Sequence, residues 1–235
     1  MYEAVHARPD GTATVARFAR DAADHGYDGV VVRNHDDARA DYDADAVREA
    51  HGVDVVDAVE IRADDPTAAS GAVGNYRPKH TLVCVHGGTD AINRFACEQE
   101  RVDVLCHPLA EGGELNHVLA KAAARNGVRV ELNLRRVLRA TGGRRVQFLD
   151  ALERLWRVLD HYDAPFVVSA DATSHLHLRG PRELVALGEV CGLDGETIAE
   201  GLREWGRLAE RNRRRDSERF IEPGVERGRY EEDDR

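Results

Sequence analysis

Seven short runs rich in β-branched residues recur along the chain, at residues 2–6, 29–33, 53–61, 81–86, 102–107, 128–134 and 166–170. Between them lie segments such as 12–25, 89–100, 114–126 and 145–162, whose apolar residues fall at three- and four-residue spacing. Gly26, Gly52 and Gly127 each stand just before a strand, where a left-handed helix exit costs least. Strand and helix in such alternation require parallel strands, as an open doubly wound sheet or a closed barrel. Polar residues gather at the C-terminal end of nearly every run, as they would around a single rim. The expected fold is therefore α/β, a TIM-like (β/α) barrel of about seven strands over residues 1–212. A helix is expected at 196–211, and 213–235 reads as a polar tail without structure of its own.

A chain of 235 residues can bury one core of barrel size. No apolar run approaches the roughly 18–20 residues needed to span a bilayer, which excludes a helical membrane role. Residues 1–9 lack a basic segment followed by an apolar one, so a cytoplasmic location is expected. Cys84, Cys97, Cys106 and Cys191 form no C-x-x-C pair and read as reduced, buried residues. Net charge is −10, and Lys79 and Lys121 are the only lysines among 33 basic residues. An acidic, nearly lysine-free chain looks like the product of a salt-accumulating halophilic archaeon, where surface carboxylates maintain solubility. Read so, the acidity is environmental and leaves an RNA partner open.

The strand ends present His6 and Arg8, Asn34 and His35, Glu60, His86, His107, Glu131 and Asn133, then Ser169 and Asp171. Histidines and carboxylates converging on one mouth are what a multi-metal hydrolase uses to bind cations and polarise water. The pattern resembles the polymerase-and-histidinol-phosphatase (PHP) metallohydrolases. That resemblance implies a His-x-His pair where this chain has His6 and Arg8, and an Asp-His pair where it has Asn34 and His35. Ala172 and Thr173 follow Asp171 where those enzymes carry His. The mouth is thus expected to be a vestigial rim holding no metal, with Arg8 as the cation among former ligands.

Four segments carry a second resemblance: YDGVVVRNH at 27–35, VLCHP at 104–108, ELNLRRVL at 131–138, and VVSADA at 167–172 followed by LRGPRELVALG at 178–188. In the last, Gly180 is expected to permit a tight turn, Pro181 to occupy the first helical turn, and Gly188 to allow close helix packing. Together they resemble the archaeal ribonuclease P protein component 3 family, the counterpart of the thirty-kilodalton subunit of the eukaryal enzyme. The resemblance implies a barrel subunit of the ribonucleoprotein that removes the 5′ leader from precursor tRNA. It further implies that the chemistry belongs to the RNA and its Mg²⁺, with no cofactor bound by this chain and no catalysis by the isolated chain. The implied partners are ribonuclease P RNA, protein component 2 in a heterotetramer, the other protein subunits and, indirectly, precursor tRNA. The alternative is a divergent PHP-type metal-dependent phosphoesterase.

An acidic protein meets RNA through local cations, because phosphate contact depends on nearby charge and counterion release. The candidates are Arg135, Arg136, Arg139, Arg144 and Arg145 after the sixth strand, and Arg211, Arg213, Arg214 and Arg215 near the C-terminus. Arg33 and Arg179 are expected to add to the rim, and Arg77, Lys79 and His80 to form a smaller patch.

Overall fold

The structure, a computed structural model, describes residues 1–217 and the backbone of 220–222 and 225–226. Seven parallel strands form one sheet in sequence order. They are β1 (Tyr2–Val5), β2 (Gly29–Val32), β3 (Asp54–Ile61), β4 (Leu82–His86), β5 (Val104–Cys106), β6 (Arg129–Asn133) and β7 (Phe166–Ser169). The helices are α1 (Val15–Asp24), α2 (Ala44–His51), α3 (Pro66–Tyr76), α4 (Asp90–Glu98), α5 (His117–Asn126), α6 (Arg135–Arg139), α7 (Gly142–His161), α8 (Pro181–Val190) and α9 (Gly195–Arg215). Short polar caps start most of them: Thr14, Asp43, Asp65, Thr89, Asn116 and Asp194 each accept a hydrogen bond from a first-turn backbone N–H. Gly26, Gly52 and Gly127 take φ of 80°, 69° and 67°, the left-handed exits expected of them.

Strand alternation divides the core in two. Val30, Val32, Val59, Val83, Leu105, Val130 and Leu132 face the surrounding helices. Ala4, Val31, Ala58, Cys84, Val104 and Cys106 face the barrel axis, where Trp205 and Leu208 of α9 join them. The small inner side chains leave room for that indole, and Trp205 is fully buried. Helix α9 crosses the N-terminal end of the barrel as a plug. Its Asn212 donates to Thr81 O and Asp103 Oδ1 at 2.8 Å each, and Arg213 pairs with Asp54 at 2.7 Å.

No eighth strand joins the sheet among the described residues, and three different contacts close the seam between β1 and β7. At the mouth, His6 N donates to Ala172 O at 2.9 Å. At mid-height, the buried Glu3 carboxylate accepts from Ala170 N at 2.9 Å and Ala4 N at 3.1 Å, standing in for a strand partner. Lower down, Trp205 Nε1 donates to Val168 O at 2.9 Å. Gly201 of α9 lies so close that a Cβ would sit 2.5 Å from Val168 Cγ2.

Several expectations need correction. Helix α9 continues to Arg215, so 213–215 belong to the plug; a short pairing joins Phe220–Glu222 to Val225–Glu226, and the rest of the expected tail lies outside the described residues. Gly180 has φ −64° and room for a Cβ, so no left-handed turn requires it. Gly188 is required, since a Cβ there would lie 2.2 Å from Ile198 Cγ1 of α9. The apolar spacing over 145–162 does not bury the whole segment: Val146 is 55% exposed, and the buried residues of α7 are Leu152, Leu155 and Leu159. All four cysteines are free and buried as expected.

Candidate functional site

The inward alternation that places Ala4, Val31, Ala58, Cys84 and Val104 on the axis carries upward to His6, Arg33, Glu60, His86 and Cys106 at the C-terminal ends of the same strands. Arg33 is fully buried at the centre of this mouth. Its guanidinium meets Glu60 at 3.1 Å, Glu131 at 2.6 Å and Asp171 at 3.0 Å. Below it the Trp205 ring lies 5.8 Å from the guanidinium carbon. The cation among the former ligands is therefore Arg33 and not Arg8, which is exposed and donates through Nε to Thr12 O at 3.0 Å. Burial also removes Arg33 from the expected RNA contacts.

Histidines surround this cluster on its outer side. His6 and His35 stack at 4.8 Å between ring centres, and His86 and His107 at 4.4 Å. Asp10, which sequence reasoning missed, bridges His6 Nδ1 and His35 Nδ1 at 2.7 Å each. It sits in the loop after β1, where no strand or helix period marks it. Burial alone would depress His6, but hydrogen bonds to Asp10 and Asp171 and the charge of Glu60 push its pKa up to about 9. Burial would likewise raise Asp171, yet the hydrogen bond from His6 and the charge of Arg33 hold it well below the usual carboxylate range. Glu60 is also held low against its burial, first by Arg33 and then by His35 and His86. Asn34 is buried but turns away, its amide joining Ala7 N, Ala7 O and Ala38 O at 2.7–2.8 Å. Its role is to tie loops together.

Two triads could hold a metal ion: His6, Asp10 and His35, or His35, Glu60 and His86. In the second, His86 Nδ1 is hydrogen-bonded to Glu60 Oε1 at 2.5 Å, a contact that would have to open to admit an ion at the outer edge, and His35 Nε2 lies 3.6 Å from the same oxygen. A multi-ion centre fits poorly, because the carboxylates that would bridge several ions are already engaged by a fixed guanidinium.

Arginines rise around this buried ion cluster. Arg135 pairs with Asp171 at 3.0 Å and keeps about a third of its side chain exposed. Arg136, Arg139, Arg144 and Arg145 are exposed and have no acidic partner among the described residues. Partial burial and the neighbouring Arg135 and Arg179 lower the pKa of Arg139, and His177 is lowered by burial and by Arg139, Arg135 and Arg179. These groups therefore form one patch of like charge. Among the described residues the Arg179 guanidinium donates to the carbonyls of Leu176 and Leu178, at 3.2 and 2.6 Å.

The other candidate arginines lie at the opposite end of the barrel. Arg211 reaches Asp103 at 2.8 Å, Arg213 reaches Asp54, and Arg214 and Arg215 extend the same helix. The expected patch of Arg77, Lys79 and His80 is also committed: Arg77 pairs with Asp103, Lys79 bonds Asn75, and His80 is buried 2.7 Å from Asp57.

Fold and mouth together define a seven-stranded (β/α) barrel whose centre is held by a side-chain cation. A likeness to histidinol phosphate phosphatase from Lactococcus lactis supports that shape, with TM-score 0.55 at 12% identity over 82% of this chain and 94% of that one. A model of the RNase P subunit p30 family matches residues 1–217, and the chain belongs to that family. It is 60% identical to ribonuclease P protein component 3 of Natronomonas pharaonis, covering 100% of this chain and 99% of that protein. It is 58% identical to the protein of the same name from Haloarcula marismortui, covering 96% of each. The fold also matches a chain in a cryo-EM structure of archaeal ribonuclease P with mature tRNA, with TM-score 0.82 at 21% identity over 98% of this chain and 99% of that one.

Proposed function

We propose that this chain is a protein subunit of ribonuclease P that binds the RNA of the enzyme through its arginine rim and performs no chemistry alone. The observation that carries this reading is the pairing of Arg33 with Glu60, Glu131 and Asp171, which engages the carboxylates of a hydrolase-type mouth with a fixed side-chain cation. Removal of the 5′ leader from precursor tRNA then belongs to the RNA and the Mg²⁺ it carries. Arg136, Arg139, Arg144 and Arg179, without acidic partners among the described residues, supply charge for phosphate contact around that centre. The partners in this reading are ribonuclease P RNA, protein component 2 in a heterotetramer, the remaining protein subunits and, indirectly, precursor tRNA, all in the cytoplasm.

Reconstitution with the cognate RNA and component 2 tests it: precursor-tRNA cleavage should proceed at lower Mg²⁺ than with the RNA alone. Cleavage unchanged by adding the chain would defeat the proposal. The His35, Glu60 and His86 triad favours a second reading, a metal-dependent phosphoesterase. Stoichiometric zinc or manganese in the purified chain, together with phosphatase turnover, would support that reading instead.

A further inference from the structure

A cleft of about 810 Å³ opens beside the mouth, between the turn at Leu109 and the first turns of α7. This lies within the roughly 300–1,000 Å³ over which small-ligand sites fall. Its floor is apolar, with Leu152 and Leu155 buried and Phe148 half-buried. Its lip is cationic, formed by Arg135, Arg136, Arg139 and Arg144. The guanidinium of Arg136 lies over the Phe148 ring, 5.5 Å from its centre, and is held by Leu109 O at 3.3 Å. A planar, charged platform therefore covers an apolar floor.

The inner wall has a different character. It reaches the largely buried His107 imidazole, the Asn133 amide and the Glu131 carboxylate, whose charge Arg33 already engages, so that hydrogen-bonding groups face the cleft. Beyond the lip the positive charge continues from Arg139 to Arg179 across the mouth.

Resting on the RNA-subunit reading, we propose that this cleft receives one unpaired nucleotide of the bound RNA. The base lies over the Arg136 and Phe148 stack with its edge toward Asn133, and the flanking phosphates are held by Arg139 and Arg144. Unpaired bases are the usual target of sequence-sensitive RNA recognition because they can stack on aromatic rings and guanidinium planes. An acidic protein segment would satisfy the arginines, but it would leave the platform and apolar floor uncovered. A chain of phosphates also suits cations that continue on both sides of the cleft.

The test uses the full chain and a nine-nucleotide single-stranded RNA carrying 2-aminopurine at its centre. A duplex of equal length, free uridine monophosphate and an acidic peptide serve as comparison probes. Binding of the single strand should quench the 2-aminopurine. Phe148→Ala should weaken binding about five- to tenfold and abolish quenching, with the salt dependence unchanged. The double variant Arg139→Ala, Arg144→Ala should instead reduce the slope of log K against log salt by about 1 to 1.5 and keep the quenching at saturation. Circular dichroism checks that each variant is folded.

Equal binding of duplex and single strand with no effect of Phe148→Ala would overturn the nucleotide site and leave the RNA-subunit reading standing. Uridine monophosphate bound as tightly as the strand, or the acidic peptide bound in a Phe148-dependent way, would also overturn it in favour of another occupant. If no RNA binds and reconstituted cleavage is also unaffected, the underlying reading fails with it.

Discussion

The two ends of the barrel hold the same residue type in opposite states. At the N-terminal end, Arg203 pairs with Glu196 at 2.6 Å, Arg129 with Glu204 at 2.7 Å, Arg211 with Asp103 and Arg213 with Asp54. Those arginines bind α9 to itself and to the strand starts. At the C-terminal end the cation that is structural is Arg33, sunk in the centre, while Arg136, Arg139 and Arg144 stand around it without acidic partners among the described residues. A run of arginines in a sequence does not mark a phosphate surface. What separates the two ends is whether a carboxylate lies within reach, which depends on strands far apart in the chain.

The largest expected effect comes from the buried cation. Arg33→Ala leaves three buried carboxylates facing one another and should lower stability by about 3–5 kcal/mol in denaturant unfolding. A loss below about 1 kcal/mol would show that the centre is not held by this guanidinium. At the other end, Trp205→Ala empties the plug and should cost a similar or smaller amount, about 3–4 kcal/mol. The comparison predicts that it leaves the salt dependence of RNA binding as it was.

The contrast between arginine sets is sharpened by matched triple variants. Replacing Arg139, Arg144 and Arg179 with Ala should reduce the salt slope of RNA association by about 2, as three phosphate contacts require. Replacing Arg207, Arg211 and Arg213 should leave that slope unchanged and cost stability instead, on the order of 1 kcal/mol because the pairs are partly exposed. Equal slopes for the two variants would break the comparison.

Smaller effects arise from titration. His6 is raised from 6.5 to about 9, so its contribution is full below pH 6.5 and is lost as pH rises through 9. His6→Gln should therefore flatten the fall in stability across that window. Glu3 is raised from 4.5 to about 8, mainly by burial. Between those values the folded chain holds a proton that the unfolded chain has released, so stability again falls as pH rises. The Tyr27 hydroxyl donates to Arg179 O at 2.7 Å and to Glu3 Oε2 at 3.3 Å, and burial of Glu3 outweighs the downward pull of that second contact. Glu3→Gln should be no more stable than the native chain at pH 4 and should gain on it steadily as pH rises toward 8.5. A native stability curve that is flat from pH 4.5 to 8 would remove Glu3 as a buried acid.

Much of the architecture was legible in the amino acids themselves. The seven strands fall where β-branched runs predicted them, because strand propensity and apolar period are local properties. The rim residues His6, His35, Glu60, His86, His107, Glu131 and Asp171 were found because a parallel barrel brings every strand's C-terminal end to one mouth. The family was legible too, from the segments ending in LRGPRELVALG, and the match over residues 1–217 agrees.

Tertiary structure alone decided what those residues do. Arg33 was read as a surface cation, although its parity with Val31 on the axis could have placed it inside. Asp10 and Glu3 carry no periodic signal; one bridges two histidines and the other fills a gap in the sheet, partners separated from them by up to 167 residues. The arginines after the sixth strand and those of the last helix look alike as strings. They differ because Asp54 and Asp103 come within hydrogen-bond distance of one set, and charge pairing is a property of space that sequence order does not contain.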